Sequence, residues 1–334
     1  MTLSLLVLGL LLNAINYGAI STSGITSVAE EACPACVSAA RKLYQVVIVK
    51  YDVNSITFFL LVGSILSLEY LIPAHPRQRL LSVSFFHDIL WCIVNALSAA
   101  FLIILYWRLL WDLYQNHLTF LRIDTIADWH PALQIGAAIL VSDFIRWFHH
   151  FIRHKITPFW FFHAVHHSQR ELNLFSDLRV HPVERVIEHT VRFIPFFAIN
   201  SALALHALAA WHLFGGWYAR FYHSNVRTNL DVLRYVLVTP QSHRVHHSIE
   251  PRHQDRNFGA ILSIWDYLFG TQYRKYDEYP DTGISDNSFP HEDSIRPVRA
   301  TVTLMRQLIY PFRLLARYLR ESAEVISRVL HRES

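Results

Sequence analysis

The sequence predicts an all-α integral membrane protein: about four transmembrane helices carrying a cytosolic, helical, histidine-rich catalytic cap. Three observations predict it. Hydrophobic residues make up 52% of the chain and charged residues only 17%, where a soluble domain carries about a quarter. Four apolar runs approach the roughly 20 residues that a bilayer requires. Histidine occurs 21 times, and most of these residues lie between His149 and His253, just after the last run.

The runs fall at about 3–20, 56–72, 89–110 and 132–148. The first lacks a basic start, so it reads as a retained helix rather than a cleaved signal peptide. Arg77 and Arg79 lie between the second and third runs, whereas Asp112, Asp124 and Asp128 outweigh Arg122 between the third and fourth. The positive-inside rule puts the Arg77 side in the cytoplasm. Four spans then place both termini, and everything after His149, on that side of an endoplasmic reticulum or bacterial inner membrane.

A further apolar stretch at 191–213 contains Pro195, Asn200, His206 and His212. A simple span there would separate the later histidines from the earlier ones, so a re-entrant or interfacial hairpin is expected. Residues 273–334 read as a polar linker followed by a tail whose arginines alternate with apolar residues, a pattern suited to an anionic membrane surface. The three cysteines, Cys33, Cys36 and Cys92, exclude a disulfide framework and any four-cysteine metal site. Cys33-Pro-Ala-Cys36 has a redox spacing without a βαβ context and is read as a loop.

Three clusters organise the histidines. His150 and His154 are four apart and share one helix face. His163, His166 and His167 follow at spacings of three and four, and His243, His246 and His247 repeat that pattern. Imidazole suits iron, zinc, copper and nickel. Eight such ligands exceed the need of one ion and supply two. A zinc hydrolase normally uses three ligands with a glutamate base beside them, as in H-E-x-x-H, and no glutamate lies inside these clusters. Two redox-active irons acting with O2 are the better match; a zinc-dependent lipid or peptide hydrolase is the alternative, and a metal transporter a more distant one.

His223 is a candidate ninth ligand, or else a residue that orients a ligand together with Asn225. Asp143 precedes His150 by two helical turns and is a candidate acceptor for a ligand's free ring N–H. His181 is a weaker ligand candidate. Histidines such as His75, His87, His212 and His253 lack a partner at ligand spacing and read as ordinary polar or core residues.

These boxes resemble the fatty acid hydroxylase and sterol desaturase superfamily. The surroundings agree: Asp143-Phe144 before the first box, Leu172-Asn173 and Arg179-Val-His181-Pro182 after the second, and Asn257-Phe-Gly259 and Trp265-Asp266 after the third. The likeness covers about 142–272. Phe151 stands where many members of that family carry arginine. The resemblance implies a non-heme di-iron centre, O2 as co-substrate, a lipid substrate that is hydroxylated or desaturated, and no nucleic acid partner. Asn257 joins Asp143 and Asn225 as a residue supporting the ligands. No G-x-G-x-x-G fingerprint is present, so electrons are expected from a separate carrier and reductase. Lipid is expected to enter from the bilayer through an apolar tunnel.

Overall fold

The computed structural model describes residues 55–199 and 201–331. The expected helix at 3–20, Cys33, Cys36 and Asn200 lie outside them. Nine α-helices run along the described chain: α1 (Ser55–Leu71), α2 (Val83–His117), α3 (Pro131–Lys155), α4 (Thr157–His167), α5 (Pro182–Ala198), α6 (Ala202–His223), α7 (Pro240–His246), α8 (Ile264–Leu268) and α9 (Pro297–Leu330). Extended pairing among the described residues is limited to isolated bridges, so the all-α expectation holds. The apolar runs at 56–72, 89–110 and 132–148 fall on α1, α2 and α3. Among the described residues, however, no helix is long and apolar enough to cross a membrane.

The chain forms two compact units. Within its described residues, the first holds 55–68, 96–139 and 193–214. Its core gathers Ile126, Ala138, Ile199, Ala204 and Leu208. The stretch 191–213 is not one helix here: α5 ends at Ala198 and α6 begins at Ala202. The two segments fold back so that the Phe196 and His212 rings lie 5.3 Å apart. Ser201 Oγ fixes the turn by donating to Gln134 at 2.5 Å.

Within its described residues, the second unit holds 69–95, 140–192 and 215–331. Its core packs Trp91, Val165, Phe289, Leu304 and Tyr310. The first half of α9 buries Ala300, Thr303, Leu304, Gln307, Tyr310 and Pro311, the spacing of one helical stripe. Gln307 Oε1 within that stripe accepts the Trp91 indole N–H at 2.9 Å. Leu314 still packs against that core and the Tyr318 ring meets Phe161 at 5.9 Å, but farther along the helix Leu319, Val325, Ile326 and Val329 are exposed. A fully buried Arg179 anchors the unit, donating to Asp88 at 2.7 Å and Glu292 at 2.9 Å.

Three local signals place the histidines. Both His150 and His154 ride on α3, which runs without a break to Lys155. Pro158 sits in the first turn of α4, where its missing N–H costs nothing, and His163, His166 and His167 end that helix. Thr239 caps α7 by accepting from Ser242 N–H, and Ser242 Oγ accepts from Thr239 N–H in return. This capping box fixes the short helix bearing His243 and His246.

Candidate metal centre

All eight box histidines, together with His223, converge within the second unit in two groups. One consists of His150, His154, His163, His167 and His246; the other consists of His166, His223, His243 and His247. Within each group the ligand atoms lie within 4.8 Å of one another, and every member is buried except the half-buried His154. His223 therefore sits among the candidate ligands, beside His166 and His243.

The groups do not follow the sequence boxes. In α4, His163 and His167 point to the first group while His166 crosses to the second. The third box reverses this: His243 and His247 join the second group and His246 crosses to the first. Helix geometry gives the reason. At 100° per residue, positions i and i+4 differ by about 40°, whereas i+3 lies about 60° to the other side. An H-x2-H-H box thus sends two imidazoles one way and one another.

Hydrogen bonds fix which nitrogen faces inward in five of the nine rings. The Nδ1 atoms of His150, His166, His223 and His246 reach the carbonyls of Phe258 (2.9 Å), Arg179 (3.2 Å), Ala219 (2.8 Å) and Arg256 (2.8 Å). A carbonyl only accepts, so Nδ1 carries the proton and Nε2 keeps its lone pair. His163 Nδ1 contacts the Glu184 carboxylate at 2.7 Å, with the same consequence. Nε2 of His166 nevertheless faces Nε2 of His223 at 3.2 Å, and the latter faces Nε2 of His243 at 2.8 Å.

The Nε2 atoms of His166 and His223 cannot hydrogen-bond each other while both Nδ1 atoms hold the proton. A cation between them resolves the repulsion. The Nε2 atoms of His150, His154 and His246 are buried with no hydrogen-bond partner, a state that costs about 1–3 kcal/mol each unless something binds there.

A proton is a poor candidate for that cation. Burial, reinforced by neighbouring imidazoles, holds His150, His154, His163, His166, His167, His243 and His247 well below the usual value of 6.5. It lowers His246 to about 4 and His223 to about 3. Neutral imidazole is the form that binds metal. Two metal ions therefore fit this donor set. The 2.8–3.2 Å spacing of Nε2 atoms matches the ~2.9 Å expected for right-angled ligands at ~2.0–2.1 Å from an ion. Five imidazoles in one group also exceed the four-coordinate habit of zinc.

Glu184 is the residue that sequence reasoning missed. It is buried, pairs with Arg153 and holds His163. Its one sequence signal is its place three residues after His181, in Arg179-Val-His181-Pro-Val-Glu184. That histidine instead donates to Leu308 O at 3.0 Å and belongs to neither group. His75, His87 and His253 likewise contact Tyr279, Ser294 and Glu278. Asp143 accepts from Leu262 N–H at 3.2 Å and the Trp265 indole at 3.0 Å.

Asn225 Oδ1 accepts from Arg244 of α7 at 3.0 Å. Asn257, in the left-handed region at φ 58°, donates to Ser242 O at 2.8 Å. Both asparagines thus brace α7. Phe151 packs edge-on against Phe258, with ring centroids 5.3 Å apart.

Two kinds of surface border the histidines. Phe258 is fully buried and lies 5.1 Å from the His154 ring and 5.8 Å from that of His246. Trp160 lies 5.1 Å from His154 and 5.3 Å from His167. These rings form an apolar wall. Elsewhere a cavity of about 220 Å³ reaches His150, His163, His166, His223 and His243. It is not the expected apolar tunnel, because arginines and acids line it.

Residues 135–271 match the fatty acid hydroxylase family. Over 136 residues the chain is 33% identical to the human (Homo sapiens) alkylglycerol monooxygenase, covering 40% of this chain and 29% of that one. Identity to the Danio rerio alkylglycerol monooxygenase is 36% over 145 residues, 43% of this chain and 31% of the relative. The ornithine lipid hydroxylase OlsE of Rhizobium tropici is 29% identical over 144 residues, 43% of either chain. The chain thus spans less than half the length of these curated relatives. No solved structure matches it.

Proposed function

We propose, from the match of residues 135–271 to the fatty acid hydroxylase family, that this chain belongs to that superfamily and is a membrane-bound, O2-dependent di-iron oxygenase that hydroxylates a lipid. The observation that carries the reading is the pair of all-histidine groups, five and four imidazoles, whose ligand atoms lie within 4.8 Å of one another in each group. Relatives named as a monooxygenase and a lipid hydroxylase favour hydroxylation over desaturation.

When bound, two irons would supply the reduction of O2 and the cleavage of an unactivated C–H bond. The balance is one C–H bond, one O2, two electrons and two protons in; one C–OH and one water out. The electrons come from an external carrier protein and its reductase. His150, His154, His163, His167 and His246 would hold one ion, and His166, His223, His243 and His247 the other.

The protein's own contribution is preorganisation. Four main-chain carbonyls and Glu184 keep the Nδ1 protons in place, so that each Nε2 is presented without reorganisation. Phe258 and Trp160 exclude water from one side of the histidines. The exposed apolar residues of α9 beyond Pro311, interleaved with Arg313, Arg317 and Arg320, support contact with an anionic membrane surface. Spans at 56–72, 89–110 and 132–148, with the histidines on the cytoplasmic side, belong to the same proposal.

A zinc hydrolase is disfavoured by the absence of any carboxylate within either group, since that chemistry needs a base beside the ion. The transporter reading is disfavoured by the clustering of the ligands in one compact unit.

The test is the metal content of detergent-purified protein together with O2 uptake in a lipid extract under a chemical reductant. Two irons per chain, reductant-dependent O2 uptake and a new hydroxylated lipid are expected. Zinc with hydrolysis products, and no O2 uptake after iron reconstitution, would replace the proposal with the hydrolase.

A further inference from the structure

The cavity beside the histidines carries more positive charge than its own carboxylates balance. Arg146, Arg153, Arg185, Arg192 and Arg220 line it, against Asp177 and Glu188. The pairing among these groups is uneven. Glu188 is shared by Arg185 and Arg192. Arg153 is taken up by Glu184. Arg220 donates to Gly216 O at 2.7 Å and lies over the Trp217 ring at 4.8 Å; among the described residues no carboxylate is within ion-pair distance of it, and Asp177 acts on it only at longer range.

Arg146 is the outlier. It is only 7% exposed, and among the described residues it makes no hydrogen bond or ion pair; its Nε is buried without a partner. Asp143 and Glu188 act on it only at longer range, and a guanidinium taken out of water without an ion-pairing anion is strongly disfavoured. Its position is nonetheless built. A Cβ on Gly215 would lie 2.7 Å from Arg146 Nη1 and 2.6 Å from Ile261 Cδ1, so the bare backbone of α6 leaves room for this side chain. Burial also pushes the Asp177 carboxyl up to about 6, so the negative side of the balance weakens as pH falls toward that value.

We infer that this cavity binds an anionic group, a phosphate or a carboxylate, carried by the lipid substrate near the carbon to be hydroxylated. The substrate part of this inference rests on the proposed oxygenase function; the anion site stands on the cavity alone. Guanidinium forks match the oxygens of phosphate and carboxylate. At about 220 Å³ the cavity falls below the roughly 300–1,000 Å³ of a site for a drug-sized ligand. It suits a head group rather than a whole acyl chain. Because the same cavity reaches His150, His163, His166, His223 and His243, a head group held by Arg146 and Arg220 puts the head-proximal part of the lipid beside both histidine groups. The cavity thereby selects the charged end of the molecule, not the far end of the tail.

The experiment measures equilibrium binding to the full chain, purified and zinc-loaded so that no turnover occurs. The probes are 1-oleoylglycerol 3-phosphate, N-oleoylglycine, uncharged 1-oleoylglycerol and inorganic phosphate. At least one anionic lipid is expected to bind 10-fold or more tighter than 1-oleoylglycerol. Arg146→Gln should abolish that difference with metal content unchanged, while Arg146→Lys retains part of it. If Arg146→Gln does not fold, Arg220→Gln reads the same difference.

Equal binding of charged and uncharged lipids, or a preference untouched in a folded Arg146→Gln protein, would overturn the inference. Inorganic phosphate binding as tightly as the anionic lipids would overturn its lipid part. O2 uptake measured in parallel on the iron-loaded protein separates the two readings. Head-group preference without O2 uptake removes the oxygenase and leaves the anion site; O2 uptake without preference does the reverse.

Discussion

Glu184 and His163 are 21 residues apart in the chain and meet at 2.7 Å, carboxylate on Nδ1, with both side chains buried. Arg153 donates to the same carboxylate oxygen. The arrangement fixes the His163 tautomer and turns Nε2 toward its group. Residues that orient metal-bound histidines typically affect affinity by 10–100-fold. Glu184→Gln is therefore expected to weaken iron binding by about that factor while leaving the helical content unchanged. Iron titration against a competing chelator measures it, and unchanged affinity would remove Glu184 from this role.

The exchange of His166 and His246 between groups gives a stoichiometric prediction. His223 belongs with His166, His243 and His247 only. His223→Ala should lower bound iron from about two ions toward one, the remaining ion being held by the His150 group. His212→Ala, outside both groups, should retain the full content. Metal analysis by mass spectrometry decides it; two tightly held irons in His223→Ala would exclude His223 as a ligand.

Acid should destabilise the metal-free protein in a defined window. Burial lowers His181 and His189 to about 4 from the usual 6.5. Above pH 6.5 neither folded nor unfolded chain is protonated at these sites, and they contribute nothing to the pH dependence. Below it the unfolded chain binds protons that the folded chain refuses, so stability falls as pH drops from 6.5 toward 4. The box histidines act in the same direction.

Glu292, held down to about 2 by Arg179 despite its burial, behaves differently. Its contribution is intact above about pH 4.5 and is lost only as pH falls from there toward 2. Melting temperatures of the metal-free protein from pH 8 to pH 4 should be flat above 7 and decline below 6.5. A flat profile down to pH 5 would contradict the buried neutral histidines.

Arg179 offers a stability test away from the ring nitrogens. Its guanidinium sits between Asp88 and Glu292, all three side chains being nearly inaccessible. Arg179→Met keeps much of the volume but strands two buried carboxylates. Breaking a buried ion pair from one side costs about 3–5 kcal/mol, so the variant is expected to lose most of its folded stability or to fail to accumulate. Asp88→Asn in the same background should recover part of the loss. A wild-type melting curve for Arg179→Met would show that the cluster contributes little.

The sequence by itself determined the helical class and which histidines are candidate ligands. Spacings of three and four at His150–His154, His163–His167 and His243–His247 are local, and an α-helix turns such spacing directly into shared faces. The capping of α7 by Thr239 and the Pro158 start of α4 are local in the same sense. Tertiary structure decided what spacing does not encode. It joined His246 to His150 and His166 to His223, because relations across 96 and 57 residues depend on how helices pack.

Packing also brought Glu184 to His163, left Arg146 buried without an ion pair, and lined the cavity beside the histidines with arginines. Each of these rests on charges or lone pairs from distant segments sharing one buried volume. Their energies depend on distance and dielectric environment, neither of which is set before the chain has folded.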